Sequence, residues 1–281
     1  MAIEVFNRYE KKYLVPIEKA GALIKAMSFR MEPDAFNVGG ETYKITNIYY
    51  DTADSALIRT SVEKPVYKEK FRLRAYGVPN LTDQVFLEIK KKYNGNVNKR
   101  RTTMPLIQAY QYLNQGLRPV SEQTESLVGE QAGGQVLKQA SARKINWQVL
   151  KEIDYMKSLY GLVPKAYISY DRMAYFDRED KNFRVTFDTN IQTRRNHLRL
   201  EDGAYGEQLL NKGMMLMEVK IPGAMPLWFN HYLTELEIYP TSFSKYGMEY
   251  KRFLAKEAQE QKRKGELLCW NPSLQVQAHL A

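Results

Sequence analysis

The sequence predicts an α+β domain in which antiparallel strands close into a barrel-like tunnel with a basic interior, covered by helices. Two observations support this fold. Eight segments are predicted strands, and many of them alternate between polar and apolar residues, as half-buried strands do. In several of these segments arginine and lysine dominate the polar face, whereas the opposite face is apolar. A barrel with its cations inside and its apolar faces under helices explains both observations.

The predicted strands are rich in tyrosine, phenylalanine, valine and isoleucine. Asn94-Gly95 separates two of them and is typical of a two-residue hairpin turn. The predicted strand ranges are 3–15, 43–51, 66–76, 84–93, 97–104, 166–176, 183–191 and 214–221.

Five segments are predicted to be helical from apolar spacing or terminal signals. Pro16 suits the start of the first, and Gly116 and Gly161 suit the ends of two others. The ranges are 16–27, 106–116, 146–161, 226–236 and 244–265. A polar insertion near 118–144 interrupts the pattern. We therefore expect one domain over 1–265, followed by a C-terminal tail over 266–281.

Composition narrows the function. The 281 residues carry a formal net charge of +10, which suggests a polyanionic partner such as nucleic acid, anionic lipid or phosphate compounds. The single cysteine, Cys269, excludes an internal disulfide framework. No apolar run is long enough to span a membrane, and the N-terminus lacks a signal pattern. These features predict a cytoplasmic protein without a transmembrane segment.

The segment 68–77, KEKFRLRAYG, shows the charge pattern most clearly. Lys70, Arg72 and Arg74 share one face of the strand, with Phe71 and Leu73 on the other. Other strands place further charged residues on polar faces: Lys99 with Arg101, and Glu218 with Lys220. Cations that face inward are costly unless anions match them, so the tunnel should hold a polyanion. Arginine and lysine side chains suit a linear chain of phosphates.

Seven short motifs follow one another along the chain: RYEKKYLV, YKEKFRLRAYG, FLEIKKK with NVNKRR, SYDRMAYF, FRVTFDT, LMEVKIPG and SFSKYGMEYKR. In this order they resemble the motifs of VTC-type polyphosphate polymerase domains, which belong to the triphosphate tunnel metalloenzymes or CYTH-like superfamily. The resemblance runs from about residue 4 to residue 253. It implies an eight-stranded antiparallel tunnel barrel that extends polyphosphate from the γ-phosphate of ATP with Mn²⁺ or Mg²⁺.

The resemblance also implies roles for individual residues. The phosphate-binding and catalytic set would be Lys12, Arg72, Arg74, Lys90, Arg172 and Arg184. Lys99, Tyr170, Ser244 and Lys245 would contact substrate, and the strand faces add Lys70, Arg101 and Lys220. Glu218 would hold the metal, with Glu10, Glu88 and Asp188 as weaker candidates. Each of these carboxylates could instead orient a neighbouring cation.

Two departures from the family pattern matter. The usual E-x-E-x-K motif of the superfamily is Arg8-x-Glu10-x-Lys12 here, which argues against a plain triphosphatase. Ser242 stands where some members have lysine, which makes that end less basic. Extra domains that would couple synthesis to transport are not expected in this chain.

Alternatives remain open. The same fold could hydrolyse inorganic or organic triphosphates, or the chain could be a polyanion-binding or nucleic-acid-binding module without activity. Neither an aromatic platform on the strand faces nor a recognition helix is evident, so no specific nucleic acid is expected. There is no P-loop motif, and the three histidines lack zinc-ligand spacing. The expected partners are ATP and inorganic polyphosphate, and the sequence leaves the oligomeric state open.

Overall fold

The protein is built around one antiparallel sheet. The computed structural model describes residues 9–119 and 145–270, apart from the side chains of 38 and 265–270. The strands are β1 (Tyr9–Pro16), β2 (Met31–Pro33), β3 (Tyr43–Asp51), β4 (Tyr67–Tyr76), β5 (Gln84–Tyr93), β6 (Asn96–Pro105), β7 (Val163–Asp177), β8 (Arg184–Arg194), β9 (Glu207–Gln208) and β10 (Met214–Ile221). Eight of them follow the order β1-β10-β8-β7-β3-β4-β5-β6, with β2 beside β7 and β9 beside β8.

Helices cover the sheet and one end of it. They are α1 (Ile17–Met27), α2 (Ala56–Val62), α3 (Leu106–Tyr110), α4 (Trp147–Tyr160), α5 (Leu227–Glu235) and α6 (Lys245–Trp270). A 3₁₀ turn spans Val38–Gly40, and a π-helical turn at Gln111–Gln115 extends α3. Among the described helices, none has the length and apolarity needed to cross a membrane.

The predicted α+β fold with a large antiparallel sheet is confirmed. Each predicted strand and helix has a counterpart, and Asn94-Gly95 forms the β5–β6 turn with positive φ at both residues (43° and 88°). The short elements β2, β9 and α2 were not predicted. Parts of the sequence predictions lie outside the described residues: 1–8 with Arg8, 120–144 and 271–281. Helix α6 continues to Trp270, past the expected start of the tail.

The sheet curls until its two edge strands approach each other. Lys90 of β5 reaches Glu10 of β1, with 2.6 Å between Nζ and Oε2. No hydrogen-bonded ladder joins β1 to β6 among the paired strands of the described chain. The result is a barrel-like tunnel with one seam, crossed by an ion pair.

Two apolar clusters lie on the outer faces of the strands. One packs α3 and α4 against β4, β5 and β6, and it contains Phe71, Leu87 and Ile153. The other packs α1 and α5 against β1, β8 and β10, and it contains Leu23 and Phe187. Burial of these faces is the main stabilising contribution to the fold, and it leaves the polar faces directed inward.

A third apolar cluster lies inside the barrel, which the sequence analysis did not predict. Inward residues of β3, β7 and β10, such as Ile45, Ile168 and Leu216, pack against Ile58 of α2 and Tyr246 of α6. The two helices therefore fill part of the barrel interior. The remaining interior is the cavity described next.

Candidate functional site

The interior holds a cavity of about 890 Å³. Its lining includes eleven lysines and five arginines but only four carboxylates: Glu10, Asp34, Glu88 and Glu218. The cavity reaches exposed residues at two ends, Phe36 and Tyr76 at one and Lys64 and Lys251 at the other. The site thus has a large excess of positive charge in a partly enclosed space.

The strands bring nearly all of the sequence-predicted site residues together. Alternation along each strand places them on the inner face, because successive side chains point to opposite sides. Asp188 lies on the same inner face, but Arg172 and Lys245 cover it, so it is fully buried and does not line the cavity. The predicted residues that line the cavity are Lys12, Arg72, Arg74, Lys90, Arg172, Arg184, Lys70, Lys99, Arg101, Tyr170, Lys220, Ser244, Lys245, Glu218, Glu10 and Glu88.

Glu88 is the centre of one wall. Its Oε2 accepts from Arg72 Nε at 2.8 Å and lies 3.6 Å from Arg74 Nε, and its Oε1 pairs with Lys99. Burial alone would raise the pKa of Glu88, but Lys99 and Arg74 hold it well below its usual range. One carboxylate therefore orders three cations and leaves most of their charge uncompensated.

Hydroxyl and amide groups orient the two arginines further. Arg72 donates to the hydroxyl of Tyr49 at 3.0 Å. Arg74 donates to Asn47 Oδ1 at 2.8 Å and to the hydroxyl of Tyr170 at 2.9 Å. Fixed guanidinium planes lose little freedom when they bind phosphate oxygens, which favours binding.

Glu218 is the centre of the opposite wall. Its Oε1 lies 3.3 Å from Lys12 Nζ and 3.1 Å from Lys245 Nζ. Lys245 and Arg172 also hold Asp188, with Arg172 donating two bonds of 2.6 and 2.8 Å. Burial would raise the pKa of Glu218, but Lys12 and Lys245 lower it well below its usual range. The carboxylate is therefore ionised and is surrounded by cations of the wall.

Some cations have incomplete partners. Lys220 Nζ has no hydrogen-bond partner among the described residues and lies 3.8 Å from Glu218. Burial lowers the pKa of Lys220 well below its usual range, although Glu218 opposes this. Arg184 donates to Asp34 at 3.0 Å through Nη2, but its buried Nε has no partner among the described residues. A phosphate oxygen would satisfy such donors.

Two lysines of the cavity have pKa values close to neutral pH. Burial, together with the charges of Lys12 and Lys90, lowers the pKa of Lys70 to about 7. Burial also lowers the pKa of Lys99 to about 7, although Glu88 opposes this. Lys70 Nζ contacts Ser244 Oγ at 2.9 Å, at the start of α6. An anion at this position would favour the protonated lysines.

Glu10 and Arg101 complete the lining. Burial would raise the pKa of Glu10, but Lys90 and Lys220 bring it down to about 2. The guanidinium of Arg101 lies over the ring of Phe86, 4.9 Å from its centroid. Its orientation is therefore set by an aromatic contact.

The described residues contain no group of three or more histidines, cysteines or carboxylates that could hold a metal without other ligands. Mg²⁺ is commonly held by one or two carboxylates together with substrate phosphates. Glu218 and Glu10 are diagonal neighbours on β10 and β1, because Glu218 pairs with Lys12 and Glu10 with Lys220. Their oxygen ligands fit a divalent cation shared with phosphate.

Some site residues were missed from sequence. Tyr43, Asn47 and Tyr49 line or support the wall from β3. Their alternating positions along the strand could have predicted that they face inward. Asp34 comes from the loop after β2, where no periodicity could reveal it. Lys68 and Lys92, which were not among the predicted site residues, also line the cavity.

An antiparallel barrel with a cationic, carboxylate-ordered interior defines a polyanion-binding tunnel protein. The chain belongs to the VTC domain family, because the VTC domain matches residues 7–254. The resemblance inferred from the motifs is thus confirmed. Family and cavity together indicate an enzyme that acts on phosphate compounds. A comparison with curated proteins gave no match.

Solved structures with related folds are remote in sequence. A Bacillus halodurans protein described as a candidate adenylate cyclase is 14% identical with a TM-score of 0.47, covering 86% of this chain and 96% of that one. A Hippeastrum protein described as a candidate adenylyl cyclase with dominant triphosphatase activity is 16% identical with a TM-score of 0.45, covering 87% and 93%. The Mimivirus capping enzyme triphosphatase is 8% identical with a TM-score of 0.31, covering 84% and 87%.

Proposed function

We propose that this protein is a polyphosphate polymerase that transfers the γ-phosphate of ATP to a growing polyphosphate chain inside the tunnel, with Mn²⁺ or Mg²⁺. One observation carries the proposal. Sixteen lysine and arginine side chains line the cavity against four carboxylates, and the cavity reaches exposed residues at two ends. A linear polyanion that enters at one end and leaves at the other fits this geometry and charge.

The transfer requires positioning and charge neutralisation more than covalent chemistry. A terminal phosphate oxygen of the acceptor attacks the γ-phosphorus of ATP and forms a new P–O–P bond. The bond from the γ-phosphorus to the β–γ bridging oxygen breaks, and ADP leaves with that electron pair. No protein nucleophile is needed, because the attacking oxygen is already anionic.

Both walls would hold the reacting phosphates. Arg72 and Arg74 face the cavity in fixed orientations, and Arg172 faces them from β7. These guanidinium groups offer planar pairs of donors to the phosphate oxygens. They would neutralise the charge that spreads over the transferred group, which is the main requirement of the transition state.

Lysines of the cavity would bind further phosphates of the chain. Lys12, Lys90 and Lys220 line the cavity next to Glu218 or Glu10. Glu218, with Glu10 beside it, would hold the divalent metal. When bound, the metal would supply positive charge that neutralises the phosphates and polarises the phosphorus under attack.

The test is product analysis with purified protein, ATP and Mn²⁺, with and without a short polyphosphate primer. We expect long chains on a polyphosphate-stained gel, with ADP released in proportion to polymer. Arg72→Ala should lower the rate by about a hundredfold or more, because it removes a fixed charge from the transition state. Glu218→Gln should remove the metal dependence along with most of the activity.

Strand β6 supplies a matched control. Arg101 faces the cavity, whereas Arg100 faces outward and pairs with Glu152 of α4. Arg101→Ala should slow polymerisation and Arg100→Ala should not. Free phosphate without polymer would replace the proposal by triphosphate hydrolysis on the same site. No turnover of ATP or tripolyphosphate with any divalent metal would leave a polyanion-binding barrel without this activity.

A further inference from the structure

Aromatic rings lie together at one end of the cavity, and we call them the aromatic mouth: Phe36, Tyr43 and Tyr76 line the cavity there, and Phe86 packs against Tyr76. Phe36 stacks on Tyr76 at 5.9 Å with 16° between the ring planes, and both contact Tyr43. Phe86 meets Tyr76 edge-on at 5.6 Å. Phe36 is 66% exposed and Tyr76 is 43% exposed, so large apolar faces remain open to solvent.

The exposure of Phe36 does not come from a loosely held loop. The backbone N–H of Phe36 donates to Asp34 Oδ1 at 3.0 Å, and Asp34 in turn pairs with Arg184. Next to it, Asn37 is buried and bonds the backbone of β7 twice, through Arg172 O at 3.2 Å and Ala174 N–H at 2.9 Å. Loop 34–37 is therefore tied to the barrel on both sides of the ring.

The aromatic mouth is continuous with the phosphate-binding wall. Tyr76 follows Arg74 by two residues on the same face of β4, about 6.6–6.8 Å further along the strand. Phe86 is the register partner of Arg74 on β5. A ligand whose phosphates bind Arg74 therefore has a flat aromatic surface two residues further along the same face of the strand.

The opposite end of the cavity is different. There the rim is formed by lysines, which we call the lysine mouth: Lys64, Lys68, Lys92 and Lys251. Lys68 and Lys92 face each other across β4 and β5, and Lys64 and Lys251 are exposed. Solvated point charges suit a phosphate chain of any length, whereas they offer no surface to a flat ring.

We propose that the aromatic mouth stacks the base of the nucleoside triphosphate donor, so that nucleotide enters at this end and the growing chain leaves through the lysine mouth. The inference rests on the proposed function in taking a nucleoside triphosphate as the phosphate donor. Stacking on tyrosine and phenylalanine needs no hydrogen-bond pattern, so the mouth accepts different bases and prefers the larger purine rings.

Equilibrium binding separates the base from the phosphates. Titrations with β,γ-imido ATP and with tripolyphosphate compare ligands that share three phosphates and differ in the nucleoside. Phe36→Ala and Tyr76→Ala should weaken imido-ATP binding by about tenfold, the loss of one stacking contact, and leave tripolyphosphate binding unchanged. Tyr155→Ala, which removes a 67% exposed ring on α4 outside the barrel, is the matched control and should change neither.

Two results would overturn the inference. An equal loss of affinity for both ligands would mean that the rings only support the tunnel wall. Unchanged affinity for both ligands would mean that the base does not contact the rings. The direction of travel has its own test. Lys64→Glu combined with Lys251→Glu should weaken binding of long polyphosphate and leave imido-ATP binding unchanged, whereas the reverse pattern would invert the assigned ends.

These outcomes do not depend on polymerisation. A protein that stacks imido-ATP in this way but produces only free phosphate would retain the inference and lose the proposed function. A protein that polymerises normally while Phe36→Ala and Tyr76→Ala bind imido-ATP like the parent would retain the function and lose the inference.

Discussion

Glu88 shows how single residues set the character of the tunnel. It is 1% exposed and carries one negative charge opposite Arg72, Arg74 and Lys99. A buried carboxylate in this position orients its partners without neutralising them all. We therefore expect Glu88 to act as a positioning residue rather than as a metal ligand.

Glu88→Gln should destabilise the free protein by about 3–5 kcal/mol, because it leaves buried cations uncompensated. Tripolyphosphate should recover much of that loss, since its charge replaces the missing one. Urea unfolding with and without the ligand measures both effects. Glu152→Gln, which removes a half-buried outer carboxylate, should cost about 1 kcal/mol or less and respond equally with and without ligand. Unchanged stability of Glu88→Gln without ligand would contradict this role.

Lys70 and Lys99 make phosphate binding dependent on pH. Their pKa values lie near 7 in the free protein, and bound phosphate should raise both. Below pH 7 both lysines are already protonated, so affinity is highest there. As pH rises through 7 to 9, binding must take up protons and affinity should fall.

Calorimetry of tripolyphosphate binding at pH 8 in buffers of different ionisation heat measures this uptake. We expect about one to two protons per ligand, after correction for the ligand's own titration. Lys70→Gln should take up about one proton fewer than the parent protein. Proton uptake near zero in the parent protein would refute the linkage.

At this scale, the sequence predicted the cations well, because strand alternation decides which side chains face inward. It predicted their partners less well. Asn47 and Tyr49 lie on the inner face of β3 but carry no charge, so the charge pattern did not predict them as site residues. Asp34 lies in a loop, and only the folded chain brings it to Arg184.

At the scale of elements, α2 and α6 close part of the barrel interior. Asp51, at the end of β3, accepts backbone N–H bonds from Leu57 and Ile58 of α2 and the hydroxyl bond of Tyr246 of α6. One buried carboxylate thus ties both helices to the sheet. The arrangement holds Ser244 and Lys245, at the start of α6, against the cavity.

Tyr246→Phe should lower the free energy of unfolding by about 1 kcal/mol, because one buried hydrogen bond is lost and the ring is kept. Tripolyphosphate affinity should be unchanged, since the hydroxyl faces Asp51 rather than the cavity cations. Chemical denaturation and calorimetry measure the two quantities. Tyr239→Phe, on a 69% exposed ring, is the control and should be neutral. A large loss of affinity in Tyr246→Phe would show that the helices control the site directly.

The strands and most helices were predictable because their patterns are long. Helix α2 was missed because seven residues give too few turns for a periodic signal. The inner apolar cluster was not predicted, because the inward faces of the same strands also carry charged residues, and these charges predicted a polar interior. Ile45 and Leu216 share faces with polar residues, so only packing against α2 and α6 identifies them as core.

For the whole molecule, the dominant property is an interior with too few anions. A small polyphosphate that fills it should stabilise the fold strongly. At a hundred times its dissociation constant, tripolyphosphate adds about 2.7 kcal/mol, or about 5–10 °C in Tm. A thermal-shift assay at fixed ionic strength measures this.

Single-stranded RNA with the same number of phosphates serves as the comparison. Its bulky nucleosides cannot follow the phosphates through the barrel, so it should shift Tm much less. An equal shift by RNA would favour a nucleic-acid-binding module over a phosphate tunnel.

The pairing of β1 with β10 also affects how the chain folds during synthesis. Tyr9–Pro16 has its sheet partner at Met214–Ile221, so the first strand waits for nearly two hundred further residues. At ribosomal rates of about 5–20 residues per second, that wait is about 10–40 s. During this time the N-terminal strand has an unpaired edge and an uncovered apolar face. We therefore expect the nascent chain to bind chaperones that recognise extended apolar segments until β10 emerges and pairs with the first strand.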